Sequence, residues 1–131
     1  MRRVLLARGM GASPGSATGA IVFRSEDAVA FAAEGKPVIL VRIETTVEDV
    51  PGMKAATGIV TTRGGITGDA AIVARSLGKA CIASCSQLRV DYVEGTMTVW
   101  SSSDDEEDIV LKQGDVVTID GSKGEIWQGD A

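Results

Sequence analysis

The sequence contains no histidine, and only two of its 131 residues are cysteine. Without imidazole, the chain lacks the side chain whose ordinary pKa lies between pH 5 and 8, and it lacks the commonest metal ligand. Cys81 and Cys85 are too few for a structural zinc site, and their spacing is wider than that of a C-x-x-C redox motif. We interpret both thiols as small core residues in a reducing compartment.

Long apolar runs are also missing, as is any excess of basic residues. The net charge of −5 argues against nucleic acid as a partner, and no apolar stretch is long enough to cross a membrane. Hydrophobic residues make up 44% of the chain and charged residues 24%, which is typical of a globular protein with a real core. We expect a single domain over residues 1–131 in the cytoplasm, with an organelle lumen as the open alternative.

What the chain does contain is a glycine-rich turn, TTRGGITGDAA, at residues 61–71. The pattern predicts a buried strand before the turn and a helix over 70–77 after it, ended by Gly78. Free N–H groups and the dipole at a helix start favour an anion, and a threonine there is a good N-cap. We predict an anion- or phosphate-binding site made by Arg63, Gly64, Gly65, Thr67 and Gly68.

An ordinary strand–turn–helix is the alternative interpretation of the same turn. Asp69 would then only stabilise the first turn of the helix through its dipole, by about 0.3–1 kcal/mol. Glycine turns before helices are common, so the residue pattern alone leaves both interpretations open.

Strands and helices alternate in the first half of the chain and strands dominate the second half, which predicts the α/β class. The predicted helices besides 70–77 are 26–33 and 47–56, with Ser25 and Thr46 as N-caps. The predicted strands are 4–6, 18–23, 37–41, 58–61, 80–83, 89–90, 96–100, 109–111, 116–120 and 124–127. The residues before strand 18–23 are rich in glycine, serine and proline and are predicted as a loop. The acidic run SSSDDEED at 101–108 is interpreted from its composition as an inserted, solvated hairpin loop. It lacks the spaced ligands and central glycine of a calcium loop.

The turn and three other segments together resemble the mobile domain of phosphoenolpyruvate-utilising enzymes, in particular its dikinase branch. The turn is similar to the family's phosphohistidine signature. The segments GMGASPG at 9–15, VILVRIET at 38–45 and DGSKGE at 120–125 are similar to the family's opening, second and closing segments. The resemblance covers nearly the whole chain and implies a compact three-layer β/β/α swivelling domain that carries a phosphoryl group.

Asp69 stands where the family carries its phosphorylated histidine. A carboxylate is shorter than an imidazole, and misplacing a reacting atom by about an ångström can lower a rate on the order of a hundredfold. The resemblance therefore implies a dikinase-like carrier domain unable to relay phosphate between nucleotide and phosphoenolpyruvate or pyruvate sites, and whether it belongs to a working enzyme is open. The alternatives are a non-catalytic regulatory or interaction module, a small anion-binding domain and, less favoured, a true aspartyl-phosphate carrier.

Thr67 has a second interpretation that comes from the resemblance. It matches the regulatory phosphorylation site of plant dikinases, two residues before the histidine. We prefer the capping role, because N-cap threonine is common and because regulation has little purpose without the histidine.

The resemblance also implies partners. In the family, a nucleotide-binding domain charges the histidine, and a barrel domain with magnesium exchanges phosphate with phosphoenolpyruvate or pyruvate. We expect both domains in cis or in trans, with no cofactor on this domain itself and magnesium confined to the partners. Arg42 and Glu44 are expected to line the docking face with Arg63, or to form a surface ion pair with each other.

Overall fold

The computed structural model describes residues 5–45, 47–63, 69–99 and 109–129. Within them the chain forms two sheets, three α-helices and one 3₁₀ turn. The helices are Ser25–Ala33 (α1), Val50–Ala55 (α2) and Asp69–Leu77 (α3), with the 3₁₀ turn at Val47–Asp49. The strands are Leu5–Arg8 (β1), Met10–Ser13 (β2), Ser16–Val22 (β3), Val38–Arg42 (β4), Gly58–Thr61 (β5), Ala80–Ala83 (β6), Leu88–Asp91 (β7), Thr96–Val99 (β8), Ile109–Lys112 (β9), Val116–Asp120 (β10) and Glu125–Gln128 (β11).

The larger sheet has eight strands in the order β1-β11-β10-β3-β4-β5-β6-β2. Its centre, β3 to β6, is parallel, and each step along it is made through one helix. Crossovers of one hand that move in one direction put their helices on one face of a sheet. Accordingly α1, α2 and α3 pack side by side and leave the other face to β-structure.

The two faces of the parallel strands belong to two different cores, because side chains alternate along a strand. Ile39 and Val41 of β4 point away from the helices, while Val38 and Leu40 point towards them. The helix-side core is closely packed with small residues, namely Ala12, Ala28, Ala56, Ala71, Ala74, Cys81 and Ala83. The opposite core includes more large apolar side chains, among them Phe23, Ile82, Met97, Ile119 and Ile126.

The smaller sheet, β7-β8-β9, closes the opposite core together with the outer strands of the larger sheet. Its buried side chains are Leu88, Val90, Met97, Val99 and Leu111, and β1, β10 and β11 contribute to the same core. Helices, parallel strands and this second β layer give the three-layer β/β/α arrangement. The predicted fold class is therefore confirmed.

The two ends of the larger sheet meet along what we call the glycine seam: Gly9, Gly11, Gly15, Gly121 and Gly124. Strands β1 and β2 are neighbours in sequence, yet they are the first and last strands of the sheet, so the sheet must curl round. The amide of Gly9 donates to the carbonyl of Gly124 at 2.8 Å, and that of Gly121 donates to the carbonyl of Gly15 at 2.7 Å. The opening and closing sequence segments are thus joined in space.

Some local predictions were wrong. Met10–Ser13 was predicted as loop because it is rich in glycine, but it pairs with β6 as strand β2. Ser25 does not cap α1; Arg24 occupies the N-cap position, and the Ser25 hydroxyl instead accepts the Gly52 amide of α2 at 2.7 Å. Tertiary packing of α1 against α2 therefore uses a hydroxyl that the sequence assigns to a local cap.

The end of α3 follows the prediction. Gly78 has φ +69, the left-handed conformation that ends many helices and that glycine adopts without strain. The Nζ of Lys79, which follows directly, donates to the carbonyls of Lys54, at 2.7 Å, and Ala56, at the end of α2. Thr46 and the acidic run 101–108 lie outside the described residues.

Candidate functional site

The predicted site lies between β5 and α3, at the carboxyl end of the parallel strands. Strand β5 ends at Thr61, and α3 begins at Asp69 and packs against β2, β5 and β6. Strand and helix are thus where the sequence predicts them. Gly64, Gly65, Thr67 and Gly68 lie outside the described residues, so the capping, anion-binding and regulatory roles of this segment stay predictions.

Arg63 and Asp69 are the two predicted site residues that the structure describes. Arg63 is exposed, and its amide donates to the carbonyl of Ile43 at 3.0 Å. Asp69 is the first residue of α3, and its backbone therefore stands at the positive end of the helix dipole. The phosphate-binding role of the Arg63 side chain stays a prediction.

The entry to the turn is bonded to the end of the neighbouring strand β4. The Thr62 amide donates to the carbonyl of Arg42 at 3.1 Å, and the Thr62 hydroxyl donates to the carbonyl of Ile43 at 3.5 Å. With the bond from Arg63, three donors of the turn entry use two consecutive carbonyls of β4 and its extension. The position of Arg42–Ile43 therefore decides where the turn begins.

Arg42 is the centre of what we call the polar corner: Arg42, Asp49 and Tyr92. The Nη1 of Arg42 donates to the carbonyl of Phe23 at 2.6 Å, and its guanidinium lies 4.6 Å from the centre of the Tyr92 ring. Its Nε lies 3.3 Å from Oδ2 of the buried Asp49, within ion-pair distance but without hydrogen-bond geometry. A cleft of about 350 Å³ opens beside these residues and is also lined by Arg24, Ser25, Glu26 and Glu48.

The predicted surface ion pair between Arg42 and Glu44 is wrong. Glu44 is exposed, and the carboxylate beside Arg42 belongs to Asp49, which is 6% exposed. Glu44 lies in a bend beyond the end of β4, whereas the 3₁₀ turn at Val47–Asp49 brings Asp49 to Arg42.

Tyr92 is the residue that sequence reasoning missed. It follows β7 on the small sheet, far in sequence from β4, and its hydroxyl accepts the Ile43 amide at 2.7 Å. The available signal was weak: Tyr92 is the sole tyrosine of the chain and lies two residues after the predicted strand 89–90. A pairing across 49 residues cannot be read from local periodicity.

The cysteines occupy the cores, as predicted. Both are free and buried, and burial raises the pKa of each thiol to about 12, although the charge of Arg75 opposes the rise at Cys81. Among the described residues no three His, Cys, Asp or Glu side chains are grouped to hold a metal ion. In the same part of the chain no helix is long and apolar enough to span a membrane.

The fold and the strand–turn–helix define a β/β/α domain with its candidate site at the carboxyl end of β5. The family model described as "PEP-utilising enzyme, mobile domain" matches residues 34–124. This match covers more than half of the chain, and the chain therefore belongs to that family.

Curated relatives include two dikinases. The chain is 47% identical over 129 residues to pyruvate, phosphate dikinase of Rhizobium meliloti (strain 1021). The matched region covers 98% of this chain and 14% of the relative. It is 50% identical over 125 residues to pyruvate, phosphate dikinase 2 of Oryza sativa subsp. japonica, covering 95% of this chain and 13% of the relative. The chain thus spans about one seventh of the length of these relatives.

Among solved structures, a match is found to an NMR solution structure of Enzyme I. The two are 22% identical, and the TM-score is 0.45. The match covers 72% of this chain and 32% of the Enzyme I chain.

Proposed function

We propose that this chain is the mobile domain of a dikinase-type phosphotransfer enzyme in which Asp69 replaces the phosphoryl-carrying histidine, so that it does not relay phosphate. One observation carries the proposal: a chain that is 47% identical to a pyruvate, phosphate dikinase over 98% of its residues contains no histidine. No phosphohistidine can form on these 131 residues.

The chemistry of position 69 supports the same view. Imidazole is nucleophilic near neutral pH and forms a labile phosphoramidate, which suits a group that must be accepted and then given up. The aspartate carboxylate is a weaker nucleophile on a shorter side chain.

The proposed partners are a nucleotide-binding domain and a barrel domain that handles phosphoenolpyruvate or pyruvate, in cis or in trans. The relatives are about seven times longer than this chain, which leaves room for such domains. Within the described domain, Leu5 of β1 is paired with Trp127 of β11. The first and last described strands are therefore neighbours, so connections to other domains would leave from one place, as a swivelling domain requires.

The test is phosphorylation by a partner. The chain is incubated with labelled phosphoenolpyruvate, magnesium and the barrel domain of a dikinase, and transfer to the chain is measured. We expect no label on the natural chain, and on Asp69→His a label that is stable in alkali and lost in acid. The matched control is Val93→His, which places histidine at a residue that is 91% exposed on the small sheet and should remain unlabelled.

Two results would contradict the proposal. Label on the natural chain that hydroxylamine removes would identify an aspartyl phosphate and make Asp69 a working carrier. No label on Asp69→His, with the barrel domain active towards its own carrier domain, would show that this chain is not a dikinase-type acceptor.

A second candidate is a regulatory module that docks without turnover. The observation in its favour is that an aspartate is the first residue of α3, because a carboxylate has one negative charge and phosphohistidine has nearly two. Its test is binding of the natural chain to the partner domains, compared with Asp69→Asn. Equal affinities of the natural chain and Asp69→Asn for the partner domains would rule out this candidate.

A further inference from the structure

Tyr92 joins the small sheet to the ends of two parallel strands. Its hydroxyl accepts the Ile43 amide at 2.7 Å, and its carbonyl accepts from the Arg24 guanidinium at 3.4 Å. The Tyr92 side chain is half-buried, and its ring lies under the Arg42 guanidinium. A single residue thus contacts the chain at the carboxyl ends of both strands: its carbonyl accepts from Arg24 after β3, and its side chain contacts Arg42 and Ile43 at the end of β4.

The hydrogen bond from Ile43 to Tyr92 matters because the carbonyl of Ile43 accepts hydrogen bonds from the turn entry. Ile43 follows β4, and its carbonyl accepts the Arg63 amide at 3.0 Å and the Thr62 hydroxyl at 3.5 Å. The Ile43 N–H is held by Tyr92 while the Ile43 C=O holds the entry to the turn between β5 and α3. The phenol and the turn entry are therefore connected through one residue.

Arg42 makes the same connection by a parallel route. Its side chain is fixed between the Phe23 carbonyl, the Asp49 carboxylate and the Tyr92 ring, and its carbonyl accepts the Thr62 amide. A planar guanidinium held on several sides has little freedom to shift. Both residues that support the turn entry, Arg42 and Ile43, are thus in contact with Tyr92.

We propose that Tyr92 is a positioning residue for the turn between β5 and α3: it fixes the Arg42–Ile43 backbone and thereby sets the place from which the turn reaches position 69. The inference rests on the proposed function for its consequence, since position 69 is where a carrier group must be presented. An error of about an ångström in that presentation is enough to slow phosphoryl transfer on the order of a hundredfold.

The first test is amide hydrogen exchange of the natural chain, measured by NMR. Tyr92→Phe removes the hydroxyl and keeps the ring. We expect the amides of Ile43, Thr62 and Arg63 to exchange about tenfold faster, because a lost hydrogen bond lowers the free energy of local opening. Tyr92→Leu, which also removes the stack on Arg42, should enlarge the effect at Thr62.

The matched control is Val90→Ala, two residues away on β7 and 8% exposed. It weakens the packing of the small sheet without touching the hydroxyl contact. We expect it to leave the exchange of Thr62 and Arg63 unchanged relative to the other amides of β4 and β5. If Tyr92→Phe accelerates Ile43 alone, Tyr92 merely caps the end of β4 and the proposal is wrong.

The second test uses phosphoryl transfer to the Asp69→His chain. Adding Tyr92→Phe should lower the transfer rate at saturating barrel domain about tenfold and leave the half-saturating concentration unchanged, since docking does not need the hydroxyl. An unchanged maximal rate would overturn the proposal. The exchange test is made on the natural chain, so it decides the role of Tyr92 even if Asp69→His accepts no phosphate.

Discussion

The polar corner and the glycine seam hold the same sheet together by opposite means. At the polar corner, long side chains meet: the guanidinium of Arg42, the buried carboxylate of Asp49 and the phenol of Tyr92. They contact Arg42 and Ile43, whose carbonyls accept from Thr62 and Arg63 at the turn entry. At the glycine seam, side chains are missing, and the backbones of the opening and closing segments touch directly.

This difference decides how each region responds to change. A side-chain contact is lost in steps, since a shorter or neutral residue removes some contacts and leaves others in place, at a graded cost. A backbone contact has no such tolerance: at Gly11, Gly121 and Gly124 an added Cβ would collide with a main-chain carbonyl oxygen. The seam should therefore fail abruptly, and the polar corner should weaken by degrees.

The largest effect should come from breaking the seam with Gly121→Ala. The new Cβ would collide with the carbonyl oxygen of Ser13 and lie 3.1 Å from the amide nitrogen of Cys81. Since both are backbone atoms of paired strands, β2 and β6 must move. We expect a loss of about 3–4 kcal/mol in the free energy of unfolding, measured by urea denaturation.

Gly95→Ala is the matched control for this substitution. Gly95 has φ +68 with no atom within 4 Å of an added Cβ, so alanine is strained there without a collision. We expect a cost of about 1–2 kcal/mol from the left-handed backbone alone. A loss at Gly121→Ala no greater than at Gly95→Ala would mean that the seam is not closely packed.

The two regions also differ in how far sequence could reveal them. The sequence indicates the glycine seam through its glycine-rich segments, because positions where backbones touch must be glycine. What they touch was not visible, and β2 was taken for a loop because glycine is rare in strands. The parallel strands were predicted well, since burial on both faces gives a continuous apolar run.

The polar corner could not be predicted, because each of its partners is set by tertiary structure. Nothing local distinguishes Asp49 from Glu44 as the partner of Arg42, and the choice depends on where the 3₁₀ turn brings the chain. Tyr92 is brought to Ile43 by the small sheet, across 49 residues. Position 69 was identified by resemblance, and its chemistry stays a prediction.

A second prediction sharpens the picture of the seam by using the two thiols as probes. Cys85 lies against Gly9, and Cys81 is paired with Ser13 of β2. Burial raises the pKa of both thiols from 9.0 to about 12, so at pH 8 the thiolate fraction is about a thousandfold below that of the unfolded chain. We expect iodoacetamide to label the native protein slower by about that factor.

The sign of the linked pH effect follows from the same shift. Because the folded pKa lies above the unfolded value, the thiols leave stability unchanged below pH 9 and reduce it as the pH rises from 9 towards 12. Urea denaturation between pH 8 and 10.5 measures this loss, with a Cys81→Ala, Cys85→Ala chain as control. Rapid labelling of the native protein at pH 8 would show that the seam opens often.

The smallest effect should come from the polar corner, where Asp49→Ala removes the carboxylate beside Arg42. Asp49 occupies the N-cap position of α2 but makes no side-chain capping bond there, so the loss is not that of a helix cap. The guanidinium of Arg42, whose side chain is 22% exposed, keeps its Phe23 carbonyl and the Tyr92 ring. We therefore expect Asp49→Ala to lower the free energy of unfolding by about 2 kcal/mol, less than the loss of one partner from a fully buried ion pair would. Urea denaturation measures this change.

Glu44→Ala is the control that separates the two possible ion pairs of Arg42. Glu44 is exposed and two residues along the chain, and its loss should change the free energy of unfolding by less than about 0.5 kcal/mol. The reverse ranking, with Glu44→Ala costing more than Asp49→Ala, would restore the surface pair and remove Asp49 from the corner.

Asp49→Ala should also have a local effect on hydrogen exchange. Because Arg42 loses one partner, the Thr62 amide, which donates to the Arg42 carbonyl, should exchange faster while the Gly121 amide stays protected. If the amides of Thr62 and Gly121 exchanged faster by the same factor, the polar corner and the glycine seam would open as one unit. The proposed difference between the two regions would then be wrong.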